Sequence, residues 1–402
     1  MKIIVKPILT AAIVLTGFTS LQAANLSVGN LIVERMGNGT TTLGSTAIDT
    51  AVLEYTTSGA AVQTITFPSS GTSQSTDSGS ATSDGYLNSY NGFVAVTGYN
   101  AAAGTASVAS SNTKITSVLD NTGAVANRTT YPTTGTIPFS ANNLRSAIAT
   151  GSTTFYAAGT GSGTPSTGGA WYYDGVGFTQ VSSTATGQPT NLRNVEIYNG
   201  QLFASSSASS GYGIFSIGSG LPTSAGSTST LAINTAGTGT GTASPYGFVM
   251  FDTNKDSLLD TAFIADDRTT AGGGLEKWTF NGSAWVNSYS LLFDAAAGNL
   301  SATAGTGFAG IRGLTGTLDD TTGAFTLYAT TNETSNNRIV SIVDNGTNPT
   351  TYTTLASAGA NYVFRGLDIM TAPASVPEPS STALLGLGFL ALLGVRRLNR
   401  KA

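Results

Sequence analysis

Nine residues hold the densest set of hard oxygen ligands in this chain: Asp252-Thr253-Asn254-Lys255-Asp256-Ser257-Leu258-Leu259-Asp260. Oxygens at positions 1, 3, 5 and 9 of such a stretch can wrap one hard cation, calcium above all. Without a cation, the carboxylates of Asp252, Asp256 and Asp260 repel one another and splay into solvent. A second set is spread along the chain. Asn143-Leu144-Arg145-Ser146-Ala147, Asn191-Leu192-Arg193-Asn194-Val195, Gly310-Ile311-Arg312-Gly313-Leu314 and Phe364-Arg365-Gly366-Leu367 share an apolar-Arg-small-apolar core. A ring of the guanidinium groups of Arg145, Arg193, Arg312 and Arg365 could hold an anionic sugar. The plainer role is to brace one repeat to the next through carbonyls or an Asp. Paired carboxylates could also serve as the acid and base of a glycosidase. The candidates, Asp266-Asp267 and Asp319-Asp320, are sequence neighbours in turn-like settings, where solvated loop caps are the commoner outcome.

Other chemistries are excluded by composition. The chain has no His, so a Ser-His-Asp triad or a His-ligated metal is ruled out. It has no Cys, which removes thiol catalysis and any disulfide framework. No Gly-Lys pair exists to build a phosphate-binding loop, and Gly159-Thr160-Gly161-Ser162-Gly163 reads as loop composition. The acidic stretch resembles the Asp-x-Asn-x-Asp-Gly-x-x-Asp calcium loop of dockerin-type repeats and integrin-type propellers. Ser257 stands where that loop has its turn glycine, and no Glu follows at position 12.

The elements that must position these residues show as repeats. Trp171-Tyr172-Tyr173-Asp174-Gly175-Val176-Gly177-Phe178 matches Trp278-Thr279-Phe280-Asn281-Gly282-Ser283-Ala284-Trp285 at an offset of 107. An Asp-Gly or Asn-Gly pair between such runs signals a hairpin, with a type I′ turn expected. Weaker copies at Ser58-Gly59, Asn121-Thr122-Gly123, Gly218-Ser219-Gly220 and Asn345-Gly346 give six hairpins, 44 to 64 residues apart. The Arg-containing segments recur in step with them. Runs 86–90 and 246–251 occupy the same slot without the Arg, so this slot too is filled six times.

A four-strand unit repeated at this spacing predicts an all-β fold, a β-propeller of six blades. The chain opens with three strand-like runs, 31–35, 51–56 and 62–67, and closes with a lone strand at 362–369. Pairing the two ends would complete one blade and bury open sheet edges. A seventh blade could sit in 69–84 or 224–244, although their polar Gly/Ser/Thr composition reads as long surface loops. A row of Ig-like sandwiches is the structural alternative, but it would not place the repeats in this phase.

Both ends read as targeting segments. Lys2 and Lys6 form a basic start, 8–18 is an apolar core, and cleavage is expected after Ala23, making 1–23 a secretory signal peptide. At the other end, Pro377-Glu378-Pro379 forms an extended elbow within the linker 372–382. The apolar run 383–395 follows and stops at Arg396, Arg397, Arg400 and Lys401, so 383–402 reads as a short transmembrane helix plus basic stop. Segment 376–402 resembles the PEP-CTERM sorting signal of Gram-negative bacteria. That resemblance implies that Pro377, Glu378 and Pro379 are recognised by an exosortase-type membrane protease, with Arg396 and Arg397 as the stop. It also implies a membrane-anchored precursor delivered to the cell surface or exopolysaccharide matrix.

Between these ends lies the body, 25–371. Setting aside Lys2, Lys6 and the four tail cations leaves 11 of 17 basic residues, and setting aside Glu378 leaves 20 of 21 acidic ones. A body at −9 argues against nucleic-acid and anionic-lipid partners. The expected function is a non-enzymatic exported propeller that binds glycan or protein. The alternative is a polysaccharide-acting enzyme that uses carboxylates alone.

Overall fold

The computed structural model describes residues 24–374; the signal-peptide reading at 1–23 and the sorting tail from 375 onward lie outside them. The chain first lays down β1 (Leu31–Gly37), β2 (Ala47–Tyr55), β3 (Ala61–Thr66) and β4 (Thr76–Ser78). Next come β5 (Asn88–Tyr90), β6 (Phe93–Tyr99), β7 (Lys114–Leu119) and β8 (Val125–Thr130). Then follow β9 (Leu144–Ala149), β10 (Phe155–Gly159), β11 (Gly169–Tyr173) and β12 (Phe178–Gln180). Strands β13 (Leu192–Tyr198), β14 (Gln201–Ala208), β15 (Gly211–Ile217) and β16 (Ser229–Asn234) make the next meander. It is succeeded by β17 (Pro245–Phe251), β18 (Thr261–Asp266), β19 (Gly274–Phe280) and β20 (Trp285–Asp294), with short β21 (Asn299–Ser301) and β22 (Phe308–Ala309). The chain ends with β23 (Ile311–Leu318), β24 (Phe325–Thr331), β25 (Arg338–Asp344), β26 (Thr353–Ser357) and β27 (Tyr362–Ile369).

The result is an all-β, propeller-like ring. Strands β5, β9, β13, β17, β23 and β27 line its axis, each packed on the next, and β27 returns to β5. β27 also pairs antiparallel with β1, from Leu31 opposite Ile369 to Gly37 opposite Tyr362, so the two ends of the chain close the ring together. Cores lie between successive sheets. Phe263, Leu275 and Phe293 of one sheet meet Leu314, Leu327 and Ile342 of the next, all buried. The axial strand β17 is buried along nearly its whole length and reads as an apolar run, whereas β3 on the rim is largely exposed.

The expectation of six blades is not met: four separate blades form. Four blades stand alone: β9–β12, β13–β16, β23–β26, and β17–β20 extended by β21 and β22. The remaining strands form one nine-stranded sheet. Its cause is β4, from a stretch read as loop. Thr76, Asp77 and Ser78 pair with Asp49, Ile48 and Ala47 of β2, and Thr76 also pairs with Tyr99 of β6. Nor does 224–244 hold a blade of its own, since it supplies the outer strand β16.

All six hairpin signals fall at one kind of junction, β2–β3, β7–β8, β11–β12, β15–β16, β19–β20 and β25–β26. The turn chemistry is not type I′. Gly175 and Gly282 are left-handed, at φ 97° and 92°, but Asp174 and Asn281 are not. Instead Asp174 Oδ1 accepts the N–H groups of Val176 and Gly177, both at 2.8 Å, and Asn281 Oδ1 accepts those of Ser283 and Ala284, both at 3.0 Å. The side chain caps a longer loop, so only the glycine needs positive φ.

Candidate functional site

The apolar-Arg-small-apolar segments open axial strands, and the pairing register shows why they recur. The ladder slips at Arg193-Asn194 in β13, Tyr246-Gly247 in β17, Arg312-Gly313 in β23 and Arg365-Gly366 in β27, and it skips Arg145 in β9. Each slip is a β-bulge, which releases a side chain from the ladder and re-aims it. The small residue is needed because neighbouring axial strands touch there. A Cβ on Gly313 would lie 2.8 Å from the Arg365 carbonyl oxygen, and one on Gly366 would lie 2.6 Å from the Tyr86 Cα.

These bulges bring the four predicted arginines together with Tyr86 and Tyr246. The two rings stack at 5.7 Å, Arg193 lies 3.8 Å over the Tyr246 ring, and Arg312 lies 5.7 Å from it. Arg145 donates to the Leu192 carbonyl at 3.1 Å and to Asn191 Oδ1. Arg193 donates to Ser244 Oγ at 2.8 Å and to the Pro245 carbonyl. Arg312 pairs with Asp267 at 3.1 Å, and Arg365 donates to the Gly79 carbonyl at 3.1 Å. Tyr86 and Arg365 are fully buried, so this tier is a plug across the axis. Beside it Glu34, Asp77 and Asp84 are buried around Arg365. Burial pushes the Glu34 carboxyl up to about 8, Arg365 opposing and Asp84 adding, and neither Glu34 oxygen has a hydrogen-bond partner.

The carboxylate pairs separate into two settings. Asp319 and Asp320 are exposed turn residues, the latter 2.9 Å from Lys255. Asp266 is not a solvated cap: it is buried and bound by Arg268 at 2.8 Å, which also reaches Glu276 at 3.1 Å. The acidic stretch forms the β17–β18 turn. Asp252 accepts the N–H groups of Asp256 and Ser257, at 3.2 and 2.7 Å, and Asp256 accepts that of Leu258 at 2.8 Å. Ser257 adopts the glycine-like conformation, at φ 73°. Among the described residues no group of three or more acidic side chains is arranged to hold a metal ion.

Sequence reasoning missed the other end of the axis. There residues of the axial strands line a cavity of about 370 Å³, among them Glu196, Tyr198, Phe251, Thr315, Asp368 and Tyr90. Glu196 follows Arg193, and Asp368 follows Arg365, by three residues, roughly 10 Å of strand. The shared spacing was visible in the sequence, but nothing local marked these acids as facing the axis. Of the two described ends, only the C-terminal one lies beside this cavity: Thr371 Oγ1 lies 3.0 Å from Ser89 Oγ, whereas the Ala24 carbonyl accepts from Gln63 of the outer strand β3, at 2.8 Å.

The fold and its axial tiers define a propeller-like β protein whose last described strand, β27, runs out beside the axial cavity. The chain also carries the PEP-CTERM protein-sorting motif, matched over residues 375–400, which implies an exported, sorted protein recognised by an exosortase. Among solved structures, the body is similar to a candidate 6-phosphogluconolactonase of Bacteroides uniformis, at 14% identity, 83% coverage of each chain and a TM-score of 0.41. A second such protein, from Bacteroides fragilis, matches at 13% identity, 82% coverage of each chain and a TM-score of 0.42. A quinonprotein alcohol dehydrogenase-like protein of Bacteroides thetaiotaomicron matches at 10% identity over 88% of this chain and 97% of its own, with a TM-score of 0.37. Likenesses this distant carry no argument about activity. A comparison with curated proteins returns no match. Among the described residues no helix is long and apolar enough to cross a membrane; the apolar run at 383–395 lies outside them.

Proposed function

We propose that the chain is a non-enzymatic propeller protein of the cell surface or extracellular matrix, binding glycan or protein through its body. The observation that carries this reading is the sorting motif at 375–400, joined to a closed β ring whose last strand runs out beside the axial cavity. In this reading 1–23 is a signal peptide removed on export, and 383–402 holds the precursor in the membrane. An exosortase then acts at Pro377-Glu378-Pro379, with Arg396 and Arg397 as the stop. The nine-stranded sheet holds two strand groups, β27-β1-β2-β3 and β5-β6-β7-β8, strapped together by β4. The four arginines brace the axis, since each already binds a carbonyl or an acid of a neighbouring segment. Replacing Pro377 and Glu378 together by Ala should leave full-length precursor in the inner-membrane fraction. Unchanged surface delivery of that double mutant would refute the sorting reading.

In the loop of Asp252, Asn254, Asp256 and Asp260 the acids are not gathered for a metal as they stand, and the loop is proposed to close on calcium when the ion is supplied. Two observations support the fit: Ser257 already takes the turn conformation, and Asp260 Oδ1 is buried without a partner. Bound calcium would tie the β17–β18 turn together and neutralise its carboxylates. Calorimetry of the full-length protein in non-ionic detergent should show heat and a raised Tm at millimolar calcium, both lost in Asp252→Ala. No response in the wild type would make the loop an ordinary acidic turn. The enzymatic alternative rests on Glu196 and Asp368, because Asp266 and Asp267 are bound by arginines. Turnover on a glycan panel that disappears in Glu196→Gln would favour it.

A further inference from the structure

The axial cavity contains two acids and no base. Glu196 and Asp368 are the charged residues among those lining it, and Lys and Arg are absent from that set. Asp368 is held rigidly by neutral donors: the Ser89 N–H at 2.7 Å, the Thr315 hydroxyl at 2.7 Å and its neighbour's Ile369 N–H at 2.8 Å. Glu196 is only 7% exposed. Its Oε1 accepts from Asn194 at 3.1 Å, and its Oε2 has no hydrogen bond among the described residues. The nearest arginines on these strands belong to the plug, where their guanidinium groups are bound elsewhere. Two buried carboxyls without a counter-charge are costly, because desolvation penalises the charged form of each. Burial, with the Asp368 charge second, pushes Glu196 well up, and burial pushes Asp368 to about 6.

We propose that this axial pocket binds a compact primary-ammonium ligand, up to the size of one amino sugar, with its NH3+ group between Glu196 and Asp368. The proposal rests on the reading of the body as a binding module, and not on the sorting tail. An ammonium supplies both the missing charge and the donors that Glu196 Oε2 lacks. Tyr90, Tyr198 and Phe251 give the carbon skeleton an aromatic wall, with cation–π attraction to the charged end. The Tyr198 hydroxyl is already turned to the Phe248 carbonyl, at 2.9 Å, so its ring is the available surface. An anionic sugar would be repelled. Calcium would need six to eight oxygens converging on one point, whereas the wall beside the two acids is largely aromatic and aliphatic. A neutral sugar would fill the space and leave the charge uncompensated.

The test is calorimetry on full-length protein in non-ionic detergent at neutral pH, in PIPES and in HEPES, two buffers of different protonation heat that contain no primary amine and do not precipitate calcium. The probes are glucosamine, n-butylamine, glucose, N-acetylglucosamine and calcium chloride. Glucosamine and butylamine should bind with release of a proton, because the incoming charge displaces the one the carboxyls hold. Glucose and N-acetylglucosamine should not bind, and Glu196→Gln should weaken glucosamine at least tenfold. Asp368→Asn should do the same; if it fails to fold, Glu196→Gln decides alone, since that side chain makes only one hydrogen bond. Equal binding of glucose, binding of calcium alone, or amine binding untouched by Glu196→Gln would overturn the proposal. Silence with every small probe, alongside retained binding to isolated exopolysaccharide or surface protein, would overturn the pocket assignment and leave the binding-module reading standing. Silence with all of them would overturn both.

Discussion

Deleting Tyr362–Ile369 should abolish cooperative unfolding of the entire body, not fray one end. Strand β27 is the hydrogen-bonded partner of β1 and packs on β23, so its loss opens the ring at two places. It also strips the core where Phe364 and Leu367 meet Leu31, Leu53 and Tyr328. A gentler version of the experiment is Phe364→Ala. Phe364 is 2% exposed and meets the Tyr55 ring edge-on at 6.2 Å. Truncating such a residue costs ~3–5 kcal/mol, and the Tm should fall by about 5–10 °C. Denaturation followed by tryptophan fluorescence and by circular dichroism would check both. A deletion mutant that melts like the wild type would show that the ring does not depend on its terminal strand.

Glu34→Gln should stabilise the protein at pH 8 and leave it nearly unchanged at pH 4. An ordinary Glu titrates at 4.5, whereas burial raises Glu34 to about 8 in the fold. Between those values the folded state holds a proton that the unfolded chain has released. Stability from this group is therefore lost as pH rises from about 4.5 to about 8. Glu276, raised to about 8 by burial and then by Asp266, and Asp368, raised to about 6 by burial, act in the same direction. Asp174 and Asp319 oppose them in stronger acid. Hydrogen bonds lower both below the ordinary 3.8, so their contribution is lost only as pH falls below that value. The Tm of the wild type should thus peak on the acid side of neutrality. At pH 8 the neutral glutamine should add on the order of 2–3 kcal/mol. A wild-type Tm that rises steadily from pH 5 to pH 8, or a variant with unchanged pH dependence, would show that Glu34 is compensated by Arg365.

The physical origin of that strain is a shortage of bases. Glu34, Asp77 and Asp84 surround Arg365; Arg145 and Lys114 also act on Asp84, which leaves the one guanidinium of Arg365 to offset the other two buried carboxyls. Asp84 is partly relieved by Tyr99 at 2.8 Å and Asn143 at 2.9 Å, whereas Glu34 has no such partner.

How much of this was legible in the sequence depended on how local each determinant is. The hairpins at Asp174-Gly175 and Asn281-Gly282 were legible because an Asx residue followed by a left-handed glycine is a short-range requirement, met inside about four residues. The axial strands were legible as a phase, since each copy needs a small residue where its neighbour's backbone arrives. Terminal closure followed from counting strands at both ends. The sorting motif is a linear signal by nature. What only the tertiary structure decided involves residues distant in sequence. The bulges that turn Arg145, Arg193, Arg312 and Arg365 onto the axis arise from register between paired strands. The fusion of two strand groups through β4 depends on Ala47–Asp49 finding Thr76–Ser78, a three-residue strand too short to show a period. Asp266 looked like a turn cap until Arg268 folded back over it. Glu196 and Asp368 show the limit most clearly. They lie on different strands with unremarkable neighbours, and only closing the ring puts both acids into one cavity without a base.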